Sequence, residues 1–270
     1  MNIDLQLSIG GLLITVLGAM HYFSKVRKNQ TPEVPVAFVT SLIVGSIMGI
    51  AAIFHISLSI PVSVLVSLPI AMLPIIMTVL VYITLKGSKA PLGDIKIEVG
   101  DQLPNFSTTT YFGTRFNNNE LDGKRVFLKF YRGSWCPYCS TELKMFEDMK
   151  PMFDEFDVKV VAVSNDSPQH AMMHKKRDKL THTLLSDVDL SMIRAFGVEH
   201  HKALGGDSEG VMTVFGLPFP KKMQFKPMAI PTSILVDEHG IVQWIDQSDD
   251  VRIRANEERV TAALRNAFEN

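Results

Sequence analysis

Val126-Phe127-Leu128-Lys129-Phe130-Tyr131-Arg132-Gly133-Ser134-Trp135-Cys136-Pro137-Tyr138-Cys139 decides the fold of the larger part of this chain. Val126–Tyr131 is an apolar run with the composition of a buried strand. Arg132-Gly133-Ser134 is a turn, and Pro137–Met149 carries a helical pattern. The two cysteines, three apart, are the only ones in 270 residues. A strand, a tight turn and Cys-x-x-Cys opening a helix make the layout of a thiol redox centre. Any intramolecular disulfide must form within this pair.

Cysteines at i and i+3 on a helix face the same way, within disulfide reach. The first sits at the helix N-terminus, where unpaired amides and the helix dipole favour a thiolate. Pro137 suits the first helical position, because it has no amide proton to leave unpaired there. Trp135 is placed to cover the edge of the sulfur pair. A zinc half-site is the competing use of such a pair, but it needs two further Cys or His ligands.

Outward from this stretch the pattern alternates. Val158–Ser164 reads as a strand, Gln169–Leu180 as a helix, Thr183–Ser186 as a short extended piece and Leu190–Phe196 as a short helix. Thr232–Asp237 and Ile241–Asp246 read as strands joined by Glu238-His239-Gly240, and Asn256–Phe268 as a closing amphipathic helix. This order predicts an α/β fold with a mixed sheet flanked by helices. Gly197–Ile230, rich in Gly and Pro, reads as a surface excursion or a lid.

Toward the N-terminus the composition changes sharply. Of 27 basic and 28 acidic residues, only five and two fall within residues 1–92, so this part carries a net positive charge and the remainder a net negative one. Leu5–Phe23, Val36–Ser57 and Ile60–Leu85 are apolar runs close to the ~20 residues that a helix needs to cross a bilayer. We therefore expect three transmembrane helices in residues 1–86, a linker at 87–93 and a redox domain at 94–270. Pro61, Pro69 and Pro74 start or kink the third span. Ala37, Ser41, Gly45 and Gly49, and Gly11, Thr15 and Ala19, form small-residue seams suited to close helix packing.

Lys25, Arg27 and Lys28 follow the first span, Lys86 and Lys89 follow the third, and the hairpin at Leu58-Ser59 has no charge. The positive-inside rule then places the redox domain in the cytoplasm, with the periplasm as the inverted alternative. The spans carry too few ionisable groups for a transporter and read as an anchor in the lipid bilayer. No long basic run points to nucleic acid.

Three further stretches carry a resemblance. Gly100-Asp101-Gln102-Leu103-Pro104-Asn105-Phe106, then Phe130-Tyr131 with Cys139-Ser140-Thr141-Glu142-Leu143, and Ala229-Ile230-Pro231-Thr232 before a strand, together resemble the peroxiredoxin-like (AhpC/TSA) group of thioredoxin-fold proteins over residues 94–270. The resemblance implies a thioredoxin-like mixed sheet and thiol-dependent oxidoreductase activity with no bound cofactor. It also implies a cis peptide before Pro231, with Thr232 entering the strand beside the cysteines.

In the thioredoxin version, Cys136 is the exposed nucleophile and Cys139 the buried resolving thiol, with Pro137-Tyr138 between them as in glutaredoxins. In the peroxiredoxin version, the peroxidatic cysteine falls on Cys139. The family's threonine then falls on Cys136, its proline on Arg132 and its arginine on or near Pro231. Arg132 substitutes for that arginine only if it folds back over Cys139. The buried acid of thioredoxins falls on Phe130, and Glu142 is its possible replacement. On these motifs thiol–disulfide exchange is favoured over peroxide reduction. The substrate is accordingly a disulfide or a peroxide, and the electron donor thioredoxin, glutathione or a similar thiol. A copper-delivery role would draw on Met172-Met173-His174, but the copper-delivering thioredoxin folds space their cysteines one residue wider. Met172 and Met173 are expected to face a core, and His200-His201 to be solvated.

Overall fold

The computed structural model describes residues 2–56, 63–92 and 95–269. It divides into two compact units, Met1–Gly87 and Ser88–Asn270. The first contains α1 (Ile3–Arg27), α2 (Val36–Phe54) and α3 (Leu68–Lys86), with a π-helical turn at Ser63–Ser67 ahead of α3. All three are long and apolar enough to cross a membrane. The expected hairpin at Leu58-Ser59 and the proline at 61 lie outside the described residues. Pro69 occupies the first turn of α3, and Pro74 lies inside it.

The small-residue seams pack α1 against α2 at Gly11 and Gly45, while Gly49 faces the backbone of Ala71 in α3. A Cβ on Gly45 would stand 2.7 Å from the Gly11 carbonyl oxygen, so the backbones meet with no room for a side chain. Gly11, Thr15, Ala19, Gly45 and Gly49 are buried, Ser41 is half-buried and Ala37 is exposed. The seam on α2 therefore begins later than its spacing suggested.

The second unit is built on a seven-stranded sheet. Its first strands are β1 (Ser107–Thr110), β2 (Arg115–Asn117) and β3 (Arg125–Phe130). After α4 (Pro137–Asp148) and α5 (Lys150–Glu155) come β4 (Val158–Ser164), α6 (Pro168–Asp178), β5 (Thr183–Ser186) and α7 (Ser191–Ala195). An arm follows, made of β6 (Glu199–Gly206), β7 (Val211–Val214), β8 (Leu217–Pro220) and β9 (Met223–Ala229). The chain ends with β10 (Thr232–Val236), β11 (Val242–Gln247) and α8 (Glu257–Phe268). The sheet order is β11-β10-β3-β4-β5-β1-β2, with β3, β4 and β5 parallel and the other neighbours antiparallel.

The strands at the centre are largely buried on both faces, which is why they read as mainly apolar runs, each interrupted by one lysine, Lys129 in β3 and Lys159 in β4. Alternation along β3 sends Val126, Leu128 and Phe130 to one core, with Ile193, Phe196 and Ile234. It sends Phe127 and Tyr131 to the other, with Phe146, Leu235, Leu264 and both cysteines. Lys129 shares the second face by the same period, and so points under α4.

The stretch Gly197–Ile230 is not irregular. β6 pairs with β9, and β7 with β8, as two antiparallel ribbons outside the main sheet. The closing segment is set by the Asn256 side chain, which accepts from the Arg259 N–H (2.9 Å) and caps α8. Just before it, Arg252 forks onto Asp250 (2.6 Å). These two devices fix the short run that carries Arg254.

Candidate active site

The site forms where β3 runs out. Tyr131 N–H still bonds to Val163 O (2.9 Å), then the chain turns through Gly133 at φ 140°. A Cβ there would lie 2.7 Å from Trp135 Nε1 and 3.0 Å from Asp166 Oδ1, so only glycine fits. Asp166 Oδ2 accepts from Ser134 N–H (2.7 Å) and ties the turn to the end of β4. Cys136, with extended backbone, is the N-cap of α4, and Pro137 is at its first position. Ser140 N–H bonds to Cys136 O (3.1 Å), which leaves the first-turn amides around Cys139 pointing out of the helix end.

Both thiols are enclosed: Cys136 is 1% exposed and Cys139 0%. The expected exposed Cys136 is therefore corrected, because the arm lies over the helix end. The Trp135 ring lies against the backbone of Gly205 and Gly206, close enough that a Cβ on Gly206 would be 2.8 Å from it. Tyr138 is half-buried at the margin of the same core.

The charged groups around the sulfurs form a chain. Lys129 Nζ stands 2.6 Å from Glu142 Oε1 and donates to Ser233 Oγ (3.0 Å). Glu142 Oε2 is 3.0 Å from Arg254 Nε, and Arg254 Nη2 is 3.7 Å from Cys139 Sγ. Lys129, Glu142 and Arg254 have side-chain exposures of 1%, 0% and 3%. Glu142 is therefore not an exposed helix residue but the bridge between two buried cations.

These neighbours split the two thiols. Burial alone would raise the Cys139 thiol. It is outweighed by hydrogen bonding from the Cys136 thiol, by Arg254, and by the backbone N–H and guanidinium of Arg132, so Cys139 ionises well below the usual thiol range. Cys136 is pushed well above that range by burial, by donating to Cys139 and by the Cys139 charge. Burial opposes the Arg254 cation, but Glu142 and the sulfurs hold it charged.

The Arg132 guanidinium, which the peroxidase version needs folded over Cys139, makes its hydrogen bonds elsewhere. It donates to Leu204 O and to Met228 Sδ (3.3 Å) and lies 5.1 Å from the Trp135 ring centroid. Arg254 takes that place instead. Pro231 is buried, and no cis peptide bond is present among the described residues, so the expected cis bond is corrected to trans. Ile230 N–H bonds to Val198 O (2.7 Å), and Thr232 pairs with Phe130, so the chain runs extended through Pro231 into β10, the ordinary trans state of an X–Pro bond. Thr232 Oγ1 donates to Ile230 O (3.0 Å) and accepts from Gln247 Nε2 (2.8 Å).

Met172 and Met173 are exposed on α6, contrary to the expectation of a core position, and His174 is turned to Asp178 (3.1 Å) and Ser140 (3.3 Å). They do not converge with the cysteines. Among the described residues no three His, Cys, Asp or Glu side chains are grouped to hold a metal. His201 pairs with Glu199 (3.2 Å), while His200 is half-buried and not fully solvated.

The sequence profile described as AhpC/TSA family matches residues 99–245, more than half of the chain. The chain belongs to the AhpC/TSA family. Peroxiredoxin Bcp of Escherichia coli is 29% identical over 110 residues, covering 41% of this chain and 70% of that protein. Thiol-disulfide oxidoreductase ResA of Bacillus thuringiensis is 30% identical over 104 residues, covering 38% of this chain and 60% of ResA. The thiol peroxidase from Chromobacterium violaceum superposes with a TM-score of 0.50 at 14% identity, covering 66% of this chain and 91% of that one, a likeness of fold alone. This AhpC/TSA chain is a thiol-dependent oxidoreductase preceded by three apolar helices.

Sequence reading missed two residues of the site, Arg254 and Lys129. Arg254 reaches Cys139 across 115 positions of chain, and its only local signal is an arginine two residues before a helix cap. Lys129 was visible as a lysine interrupting a buried strand. A cation at such a position demands a buried anion, and Glu142 is that anion.

Proposed function

We propose that this protein is a membrane-anchored thiol peroxidase in which Cys139 attacks and Cys136 resolves. The observation that carries the reading is Arg254 Nη2 at 3.7 Å from Cys139 Sγ. A guanidinium there stabilises the thiolate before reaction and offers donors to the peroxide oxygens as charge develops on them. The burial of both sulfurs supports a small oxidant over a protein disulfide.

The Cys139 thiolate attacks one peroxide oxygen. The S–O bond forms as the O–O bond breaks, and the leaving oxygen takes the electron pair and a proton to become water or an alcohol. Cys139 is then a sulfenic acid. Cys136 gives up its proton and attacks that sulfur, forming the Cys136–Cys139 disulfide and releasing water. An external thiol of the thioredoxin or glutathione kind returns two electrons. Pro137 starts the helix that aims Cys139, Trp135 closes the pocket, and Glu142 holds Arg254 in place.

Five basic residues flanking the spans support a cytoplasmic redox domain. The distinguishing experiment mixes the reduced full-length protein in detergent with stoichiometric hydrogen peroxide and follows thiol loss by rapid-quench mass spectrometry. Complete oxidation within seconds at micromolar peroxide supports the peroxidase. Oxidation as slow as a free thiol, with fast exchange against a small disulfide, returns the assignment to thiol–disulfide exchange.

A further inference from the structure

The arm carries an exposed cluster that the chemistry at the cysteines does not use. β7 and β8 pair from Val211↔Pro220 to Val214↔Leu217, so Phe215 and Gly216 make a two-residue turn. Both have positive φ, 51° and 74°. Asn-Gly is the ordinary choice for such a turn, and a bulky residue in its first place is strained. The strained position sets an aromatic residue at the tip of the hairpin, with Met212 and Val214 exposed beside it. On β9, Met223 and Phe225 share one side by the strand period, and Phe225 is 65% exposed. Met228, of the opposite parity, meets Arg132 beside the cysteines, so Met223 and Phe225 face away from the site.

Lysines border these residues. Lys221 and Lys222 join β8 to β9, Lys226 lies on β9, and Lys202 Nζ stands 5.8 Å from the Phe225 ring centroid. Among the described residues none of these four lysines forms an ion pair. The sequence holds no Asp or Glu between Glu209 and Asp237. The acidic groups of the arm lie before the hairpin: Glu199 is held by Arg194 (2.9 Å) and His201 (3.2 Å), and Asp207 Oδ1 accepts from the Glu209 N–H (3.1 Å).

Apolar side chains bordered by unpaired lysines suit an anionic lipid surface, where the apolar groups enter between headgroups and the ammonium groups meet phosphates. A symmetric contact with a second copy would set lysine against lysine. The chain itself supplies the lipid surface. α3 ends at Lys86, and Ala90 N–H is already bonded to Asp249 O (2.7 Å), so only Gly87, Ser88 and Lys89 lie between the third apolar helix and the redox fold. Over so short a tether a modest affinity is enough.

We propose that the β7–β8 hairpin and the start of β9 dock on the anionic surface of the bilayer that α1–α3 cross. Phe215, Met223 and Phe225 enter among the headgroups, and Lys202, Lys221 and Lys222 meet their phosphates. This rests on α1–α3 being membrane spans.

The test is hydrogen–deuterium exchange on the full-length protein in lipid nanodiscs, of phosphatidylcholine alone or mixed with phosphatidylglycerol, and in detergent. The amides of residues 211–216 and 221–226 exchange about tenfold more slowly in the anionic discs, the scale expected when several lysines meet an anionic surface. Concentrated salt removes the difference in the wild-type protein. Lys221→Gln with Lys222→Gln loses it too, with the exchange of β3 to β5 unchanged. Equal exchange of these amides in anionic discs, neutral discs and detergent overturns the docking, whatever the variants do. Protection that is equal in all three and rises with protein concentration overturns it in favour of a second copy. Slow exchange along α1–α3 in the discs reports the anchor separately, and fast exchange there would overturn the anchor itself.

Discussion

Arg254 and Cys139 meet at 3.7 Å although 115 residues of chain separate them, and they meet because Glu142, three residues after Cys139, holds the guanidinium from its other side. The helix that presents the sulfur also presents the carboxylate that aims the arginine. Three predictions below follow from that triangle.

Replacing Arg254 with methionine removes a donor and a charge from the reacting sulfur. The rate of reaction with hydrogen peroxide should fall about 100-fold or more, in the range seen when one transition-state donor is lost. Stopped-flow kinetics measure it. The Cys139 thiol should also titrate higher, which a purely structural defect would not produce.

The pH profile follows from the split thiols. Cys139 ionises well below the ordinary value of about 8.5 and Cys136 well above it. Alkylation of Cys139 should therefore stay fast across neutral pH and fall only in acid, while Cys136 stays unreactive until strongly alkaline pH. Because the folded-state value of Cys139 is depressed, the stability it contributes is fully present above about pH 8.5 and is lost as pH falls through the folded value. Cys136 has the opposite sign, with a contribution present below about pH 8.5 and lost as pH rises through its raised folded value. Mass-resolved alkylation of the two residues from acid to alkaline pH checks the assignment.

Glu142→Gln leaves Lys129 and Arg254 as buried cations without their shared anion. Breaking a buried pair from one side costs about 3–5 kcal/mol, so thermal unfolding of the second unit should move down clearly. Adding Lys129→Met to Glu142→Gln removes one stranded charge and should recover part of the loss. A double mutant as unstable as the sum of its singles would contradict the pairing.

Gly133→Ala tests the turn. The φ of 140° and the contacts at 2.7 and 3.0 Å leave no place for a Cβ. Strain of about 1–3 kcal/mol should displace Trp135 and slow the thiol chemistry. Denaturant titration and peroxide kinetics on the same sample read both effects.

Local signals carried most of the central architecture. Val158–Ser164 and Thr183–Ser186 were legible to the residue, because largely buried parallel strands leave short, mainly apolar runs bounded by turns. The cysteine pair was legible for the same reason, since strand, turn and helix start are all local. The arm was not, because β6 to β9 carry Gly205, Gly206, Pro218, Pro220 and Pro227, which read as loop although they lie in paired strands, with the two glycines against Trp135. Arg254 was invisible because its meaning depends on the long-range meeting of a loop with α4. Motif likeness also misdirected two expectations. The chain passes Pro231 in the trans state, and Cys136, first in the motif, carries the thiol that burial and its neighbour keep protonated.

The central claim is that Cys139, not Cys136, is the attacking sulfur. The most direct measurement treats full-length Cys136→Ser and Cys139→Ser separately with one equivalent of hydrogen peroxide, quenches with dimedone and maps the adduct by mass spectrometry. The account predicts a rapid sulfenic acid at Cys139 in the Cys136→Ser protein, captured by dimedone, and no rapid oxidation in the Cys139→Ser protein. Rapid oxidation of Cys136 in the Cys139→Ser protein, with Cys139 slow in the other, would contradict it.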